Sequence, residues 1–333
     1  MSKYKILFIN YKDDHLFEEL RSLGYEVSFS RGDFEGEILG RYDIVYFCKF
    51  VPPTFDDLRL FSSKVKVPLI YGWHFEYLPV VFKLNRPSNY VQAFIAIVKV
   101  LVLKLKNFAV HVLNYDQYKA FVKLGLNVTY IPLGVNTGCF RPQKKYGEFT
   151  VIFVSPRYQK GVDFLVKIIP QVIKREPEVK FVLTGRGFLG SKYYRVLKEY
   201  YPRNVEVSEN LPQKEFLNIL SRSHVLLFPS RRETFGRIVL EALACELPIV
   251  AFDIPGAARD IVKRYSCGVI AKPFNWRKIC AGLLYLYRLW RQEPLRFKQL
   301  QKYCRTIAEK YDWKKLAKLY DKLFRNMMLK SRS

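Results

Sequence analysis

Short apolar runs alternate with helical patterns along the whole chain. The runs predict strands at residues 4–10, 25–28, 43–47, 67–71, 109–113 and 128–131 in the first half. In the second half they predict strands at 149–155, 180–184, 205–207, 224–228, 248–252 and 268–271. Strand and helix in strict alternation predict an α/β protein built on doubly wound parallel sheets. From residue 276 onward the pattern is helical.

The series is interrupted once, at P-L-G-V-N-T-G-C-F-R-P (132–142) and the polar residues 143–148. A boundary there divides the chain into residues 1–142 and 149–310, each a Rossmann-like domain. Residues 311–333 then form a basic C-terminal helix that can pack back on the first domain. The 333 residues suffice for two domains of ordinary size.

Composition adds charge to this picture. Fifty-six Lys+Arg against 30 Asp+Glu give a formal net charge of +26, which calls for an anionic partner. The excess is uneven: residues 58–146 hold 13 basic and 2 acidic side chains, whereas residues 1–57 hold 7 and 11. The basic block contains N-Y-V-Q-A-F-I-A-I-V-K-V-L-V-L-K-L-K (89–106), beside the apolar Y-L-P-V-V-F (77–82). An interfacial segment on anionic lipid is the reading adopted, over a buried packing helix with a basic end. The longest apolar stretch, 90–103, is interrupted by Lys99 and is too short to span a bilayer. The start reads as a strand rather than a secretion signal, and the six cysteines form no C-x-x-C pair. A reducing, cytoplasmic setting is expected, with a peripheral seat on the inner face of the membrane as an option.

The densest chemistry lies at 228–260, F-P-S-R-R-E-T-F-G-R-I-V-L-E-A-L-A-C-E-L-P-I-V-A-F-D-I-P-G-A-A-R-D. A buried strand ends at Phe228, a loop carries Glu233, a helix opens near Gly236 and carries Glu241, and a second buried strand follows. Ligands of open α/β sheets bind outside the carboxyl ends of the strands, where this loop lies. Backbone N–H groups of Phe235, Gly236 and Arg237 at the helix start suit a phosphate. Two carboxylates beside an anion seat suit a sugar nucleotide.

P-S-x-x-E-x-F-G-x-x-x-x-E-A-x-A-C resembles the E-x7-E signature of family-4 glycosyltransferases, which are retaining enzymes of the GT-B fold. That resemblance implies two Rossmann-like domains facing a cleft, with Glu233 and Glu241 on the signature's two glutamates. I-P-L-G-V-N-T-G-C-F is similar to the family's interdomain segment, with Asn136 where Asp is usual. V-S-P-R-Y-Q-K-G-V-D-F-L (154–165) resembles the family's G-R-x(n)-K-G element, which implies Arg157 and Lys160 as the cations on the donor diphosphate. Its internal loop is shorter than usual, and Ser155-Pro156 replaces the common Gly. T-G-R-G-F (184–188) resembles the Gly-rich loop near the donor, placing Gly185 and Arg186 there together with Thr234, Phe235, Gly236 and Arg237. Residues 209–225 resemble the region lining the nucleobase pocket. His74, in Y-G-W-H-F-E, stands where family members carry a His that contacts the donor sugar or acceptor. The family's Gly-Gly loop after the first strand is absent; the chain reads I-N-Y-K-D-D-H.

The expected activity is metal-independent transfer of a sugar from a UDP- or GDP-linked donor to a hydroxyl acceptor, which can be lipid-linked. Glu233, Arg157, Lys160 and His74 are the catalytic candidates. No D-x-D or clustered His/Cys set suggests a metal, and no cofactor is expected beyond the donor. A basic nucleic-acid-binding protein on a Rossmann-like scaffold is the alternative, but no RRM, KH, zinc-finger or helix-turn-helix signature supports it.

Overall fold

The computed structural model describes residues 4–31, 41–48, 67–74, 100–101, 103–104 and 108–332. Residues 77–82, and all of 89–106 except 100, 101, 103 and 104, lie outside the described residues, and with them most of the expected interfacial segment. The chain divides into two compact units, Met1–Gly134 with Trp313–Ser333, and Val135–Asp312.

The first unit holds β1 (Lys5–Ile9), α1 (Asp14–Ser22), β2 (Glu26–Ser30), β3 (Ile44–Cys48), β4 (Leu69–Trp73), β5 (Ala109–Val112), α2 (Tyr115–Lys123) and β6 (Val128–Tyr130). The strands form one parallel sheet in the order β2-β1-β3-β4-β5-β6. β3 is buried at all five positions, the signature of a strand covered on both faces. Asp13 and Asn114 cap α1 and α2 by accepting from Leu16 N and Gln117 N. The last helix, Trp313–Arg332, belongs to this unit. Its buried Tyr320 and Phe324 join the aromatic cluster of Phe8 and Tyr46, and Tyr25 Oη donates to Asp321 at 2.6 Å.

The second unit holds β7 (Thr150–Val154), α3 (Leu165–Ile173), β8 (Lys180–Thr184), α4 (Lys192–Tyr200), β9 (Val205–Ser208), α5 (Gln213–Arg222), β10 (Val225–Phe228), α6 (Arg237–Ala244), β11 (Ile249–Phe252), β12 (Gly268–Ala271), α7 (Trp276–Gln292) and α8 (Pro294–Ala308). Its parallel sheet runs β12-β11-β10-β7-β8-β9. All twelve predicted strands are present, displaced by at most two residues at their ends. In this order successive strands leave β7 on one side and β10 on the other, so the topological switch point lies between β7 and β10.

Three histidines are buried inside this fold. His111 Nε2 donates to Ile131 O at 2.7 Å, so its Nδ1 is bare and accepts from Tyr46 Oη. The Tyr46 oxygen in turn accepts from His74 Nε2 at 3.0 Å. In the second unit, His224 Nδ1 accepts from Thr150 N at 3.1 Å. Burial lowers all three pKa values, with His111 beside His74 and Lys145 beside His224 adding to the effect. His111 falls to about 4 and His224 to about 3.

The unfolded chain therefore takes up these protons first as the pH drops. Stability is complete above about pH 7 and is lost as pH falls through the unfolded value of 6.5 toward the folded ones. Denaturant titrations should show a loss of about 2 kcal/mol per histidine between pH 7 and pH 5, before ordinary carboxylates protonate. A flat profile across that window contradicts the neutral assignment.

Candidate active site

The loops after β7 and β10 meet at the switch point. β7 ends at Val154, and Ser155 takes a φ of 84° while its N–H donates to Thr184 O at 2.8 Å. The Ser that replaces the family's Gly thus still adopts a left-handed conformation that glycine occupies at lower cost. One 3₁₀ turn covers Tyr158–Lys160, Gly161 follows at φ 82°, and a second turn covers Val162–Phe164 before α3. A Cβ on Gly161 would stand 2.2 Å from the Pro229 carbonyl oxygen, so the two loops touch through main chain.

The second loop opens with Pro229 and the buried Ser230. Ser230 Oγ donates to Glu233 Oε1 at 3.0 Å, and Lys160 Nζ donates to the same oxygen. The Glu233 side chain is only 10% exposed and that of Lys160 28%, which makes this a shielded ion pair. Both bonds fall on Oε1, leaving Oε2 as the oxygen to offer a further hydrogen-bond donor.

Gly236, at φ 92°, is the N-cap of α6 and supplies no side-chain cap. Its missing Cβ makes room for the Phe228 ring, which would otherwise stand 2.9 Å away. The Phe235 ring is buried at 2% and its carbonyl accepts from Ala257 N at 2.7 Å, so its main-chain N–H is what it can present to a ligand. Thr234 and Glu241 are half-buried, and Arg237 is exposed at the first turn of α6.

Arg157 is exposed, and its carbonyl accepts from Lys160 N at 2.9 Å. A hollow of about 310 Å³ opens at the carboxyl ends of β7 and β8, lined by Val154, Thr184, Gly185, Arg186, Asn210, Leu211 and Phe216. Arg186 Nε donates to Asn210 Oδ1 at 3.3 Å across its rim. A larger hollow of about 680 Å³ lies at the opposite, amino ends of the same strands, around Thr150, Lys180 and Val205. By the rule for open α/β sheets the smaller one is the ligand side.

The structure therefore brings together Lys160 and Glu233, with Arg157 on the same β7 loop as Lys160 and Gly185–Arg186 on the loop after the neighbouring β8. His74 belongs to the first unit, where its ring is 2% exposed and bonded to Tyr46. Two participants were given no role by the sequence. Ser230, the Ser of the P-S-x-x-E motif, holds Glu233, and Arg231, at one of its variable positions, reaches back to Asp163 by a bidentate pair at 2.7 and 2.6 Å. The second contact joins positions 68 apart, beyond the reach of any local pattern. Among the described residues, no group of three His, Cys, Asp or Glu is arranged to hold a metal ion.

Residues 140–311, just over half of the chain, match the family described as glycosyl transferases group 1. The chain is 30% identical over 118 residues to the phosphatidylinositol N-acetylglucosaminyltransferase gpi3 subunit of Schizosaccharomyces pombe, covering 34% of this chain and 26% of that one. It is 27% identical over 160 residues to a subunit of human phosphatidylinositol N-acetylglucosaminyltransferase, covering 47% and 32%. It is 28% identical over 186 residues to the uncharacterized glycosyltransferase MJ1178 of Methanocaldococcus jannaschii, covering 54% and 48%. The matched region thus spans between about a quarter and a half of these relatives. Among solved structures, sucrose-phosphate synthase tll1590 from Thermosynechococcus elongatus superposes with a TM-score of 0.75 at 17% identity, covering 98% of this chain and 100% of that one. Anabaena Alr3699/HepE in complex with UDP-glucose gives 0.70 at 16%, covering 97% and 100%. These likenesses establish the GT-B fold, with its two Rossmann-like sheets.

Gly161→Ala tests the contact between the two loops. Its Cβ would enter the Pro229 carbonyl from a left-handed backbone. A stability loss of roughly 1–3 kcal/mol is expected by denaturant titration, at the level of a strained residue. A change of less than a few tenths would mean that the loops do not meet there.

Proposed function

We propose that this chain, which belongs to the glycosyl transferases group 1 family, transfers a sugar from a nucleotide diphosphate to a hydroxyl acceptor with retention at the anomeric carbon. The observation that carries the reading is the meeting of Lys160 and Glu233 at the switch point of the second sheet, beside the glycine-capped start of α6. The bond from the anomeric carbon to the diphosphate breaks, and the acceptor oxygen attacks from the same face. The acceptor's proton leaves with the departing phosphate. Arg157, Lys160 and the α6 N-terminus stabilise the charge that grows on the leaving group, which is where a fixed cation lowers a barrier. Glu233, through Oε2, accepts from sugar hydroxyls, and Glu241 accepts from the ribose. No protein nucleophile is assigned. The UDP-glucose in HepE favours UDP as the base carrier over GDP.

The test is transfer or hydrolysis over a panel of UDP- and GDP-sugars, with the anomeric configuration of the product read by NMR. Retention is expected, unaffected by EDTA. Arg157→Ala and Lys160→Ala should each lower kcat roughly a hundredfold. Glu241→Ala should weaken UDP binding by about 2 kcal/mol, the value of a charge-assisted hydrogen bond. An inverted product, or activity lost to EDTA and restored by Mg²⁺ or Mn²⁺, sinks the mechanism. Unchanged UDP affinity in Glu241→Ala removes the ribose role.

The acceptor is proposed to be lipid-linked and met at an anionic membrane surface. Two facts support this: the 13-to-2 basic excess of residues 58–146, and relatives named for phosphatidylinositol. The contact proposed is peripheral; among the described residues no helix is long and apolar enough to cross a membrane. The protein should sediment with anionic vesicles and be released by salt, each basic residue near the surface contributing about 1 kcal/mol. Charge reversal at Lys99, Lys104 and Lys106 should abolish sedimentation while leaving UDP affinity intact. A wild-type protein that stays in solution at low salt overturns the surface role.

A further inference from the structure

Arg231 makes more contacts with the neighbouring loop than its exposed-looking sequence context suggests. Its guanidinium forms a bidentate pair with Asp163 and also donates to Tyr158 O at 2.7 Å. It lies over the Tyr158 ring at 3.9 Å and the Phe164 ring at 4.3 Å. Its own N–H donates to Gln159 O at 2.9 Å. The side chains of Arg231 and Asp163 are only 15% and 20% exposed. These six contacts all run from the loop that carries Glu233 to residues 158–164, and Lys160 sits inside that segment.

We propose that Arg231 is a positioning residue for sugar transfer: it clamps residues 158–164 so that the Lys160 ammonium is held on Glu233 at the switch point. An isolated surface pair would not do this, since exposed ion pairs contribute little and hold little. A planar fork gripped by one carboxylate, one carbonyl and two rings is a different case, because the fork is rigid and its orientation is over-determined. The clamp also explains why the shortened loop still delivers its lysine. Residues 158–160 form a single 3₁₀ turn with no side-chain cap, and the left-handed Gly161 that links it to the next turn, Val162–Phe164, brings no side chain of its own to brace it. Arg231 supplies from outside what the turn lacks. The consequence for turnover rests on the role given to Lys160 above; the clamping of Lys160 does not.

Two measurements separate the two. In the first, the intact chain is pulse-labelled with acetic anhydride and the rate at Lys160 is read by mass spectrometry. Arg231→Lys keeps the charge but loses fork and stacking; Asp163→Asn keeps the shape but loses the carboxylate charge, and serves if the first variant folds poorly. In both, Lys160 should acetylate roughly three- to fivefold faster, the factor expected for releasing a pair of about 1 kcal/mol, while the distant Lys198 is unchanged. Unchanged labelling of Lys160 in a cooperatively folded variant overturns the clamp, whatever the activity. In the second, both substitutions are made in the wild type and in Lys160→Ala, and steady-state transfer is measured. Arg231→Lys should lower kcat roughly tenfold to a hundredfold, the scale of a misplaced catalytic group, and should cost almost nothing further once Lys160 is gone. An equal loss in both backgrounds means that Arg231 is merely structural. Faster labelling with unchanged kcat leaves the clamp standing and removes Lys160 from the chemistry.

Discussion

The parallel pairing of β7 with β10 is the constraint on which the second unit's site depends. Val151 pairs with Val225 and Ile152 with Leu226, joining strands about 75 positions apart in sequence. Their crossovers leave in opposite directions, so the space beyond their carboxyl ends is left to loops. The loops that close over that space must be compact enough to touch. Gly161 against the Pro229 carbonyl, Gly236 under the Phe228 ring and Lys160 on Glu233 are three expressions of that closeness.

Helix α6 shows how the same unit uses its cations. Its C-terminal carbonyls are held by two basic side chains: Arg305 donates to Ala244 O at 2.6 Å and Lys145 to Cys245 O at 2.8 Å. Lys145 also donates to Ser221 O at 2.9 Å at the end of α5, and Arg305 to Phe140 O and Thr137 O of the segment entering the unit. Burial presses the Lys145 pKa down to about 8, and the neighbouring Cys245, Glu246 and Cys304 offset only part of that by favouring the charged form. Cations at this end complement the helix dipole where it is negative. The opposite end, opened by Gly236 without a side-chain cap, carries the dipole's positive pole.

Much of this was legible in the sequence because it is local. The twelve strands are apolar runs, and each needs only its own residues to be recognised. P-S-x-x-E-x-F-G is local too, as strand end, loop and helix start lie within one stretch. What sequence could not reveal are contacts made by topology. Asp163 meets Arg231 across 68 positions, His74 meets Tyr46 across 28, and Tyr25 meets Asp321 across 296. His74 makes the point most clearly. Its place just after β4, at a strand's carboxyl end, reads as a site position, yet the structure gives its ring two buried polar neighbours contributed by β3 and β5. A lone histidine in sequence carries no sign of whether such neighbours exist.

The net charge of +26 is best understood by asking where the acids have gone. Asp163, Asp253, Glu178, Glu233 and Asp321 are each held by a basic partner. Bases outnumber acids nearly two to one, so such pairing consumes the acids and leaves a surplus of cations at the surface. On the last helix Lys318 and Lys322 are exposed. A surplus of that size raises the local concentration of any anion, diphosphate or lipid headgroup alike, and cannot choose between them. Choice has to come from groups whose positions are fixed; in the second unit Lys160 on Glu233 and Arg231 on Asp163 are two such cations. The surface cations act over distance and the paired ones over a few ångströms. The sequence composition reveals the first kind, and only the fold reveals the second.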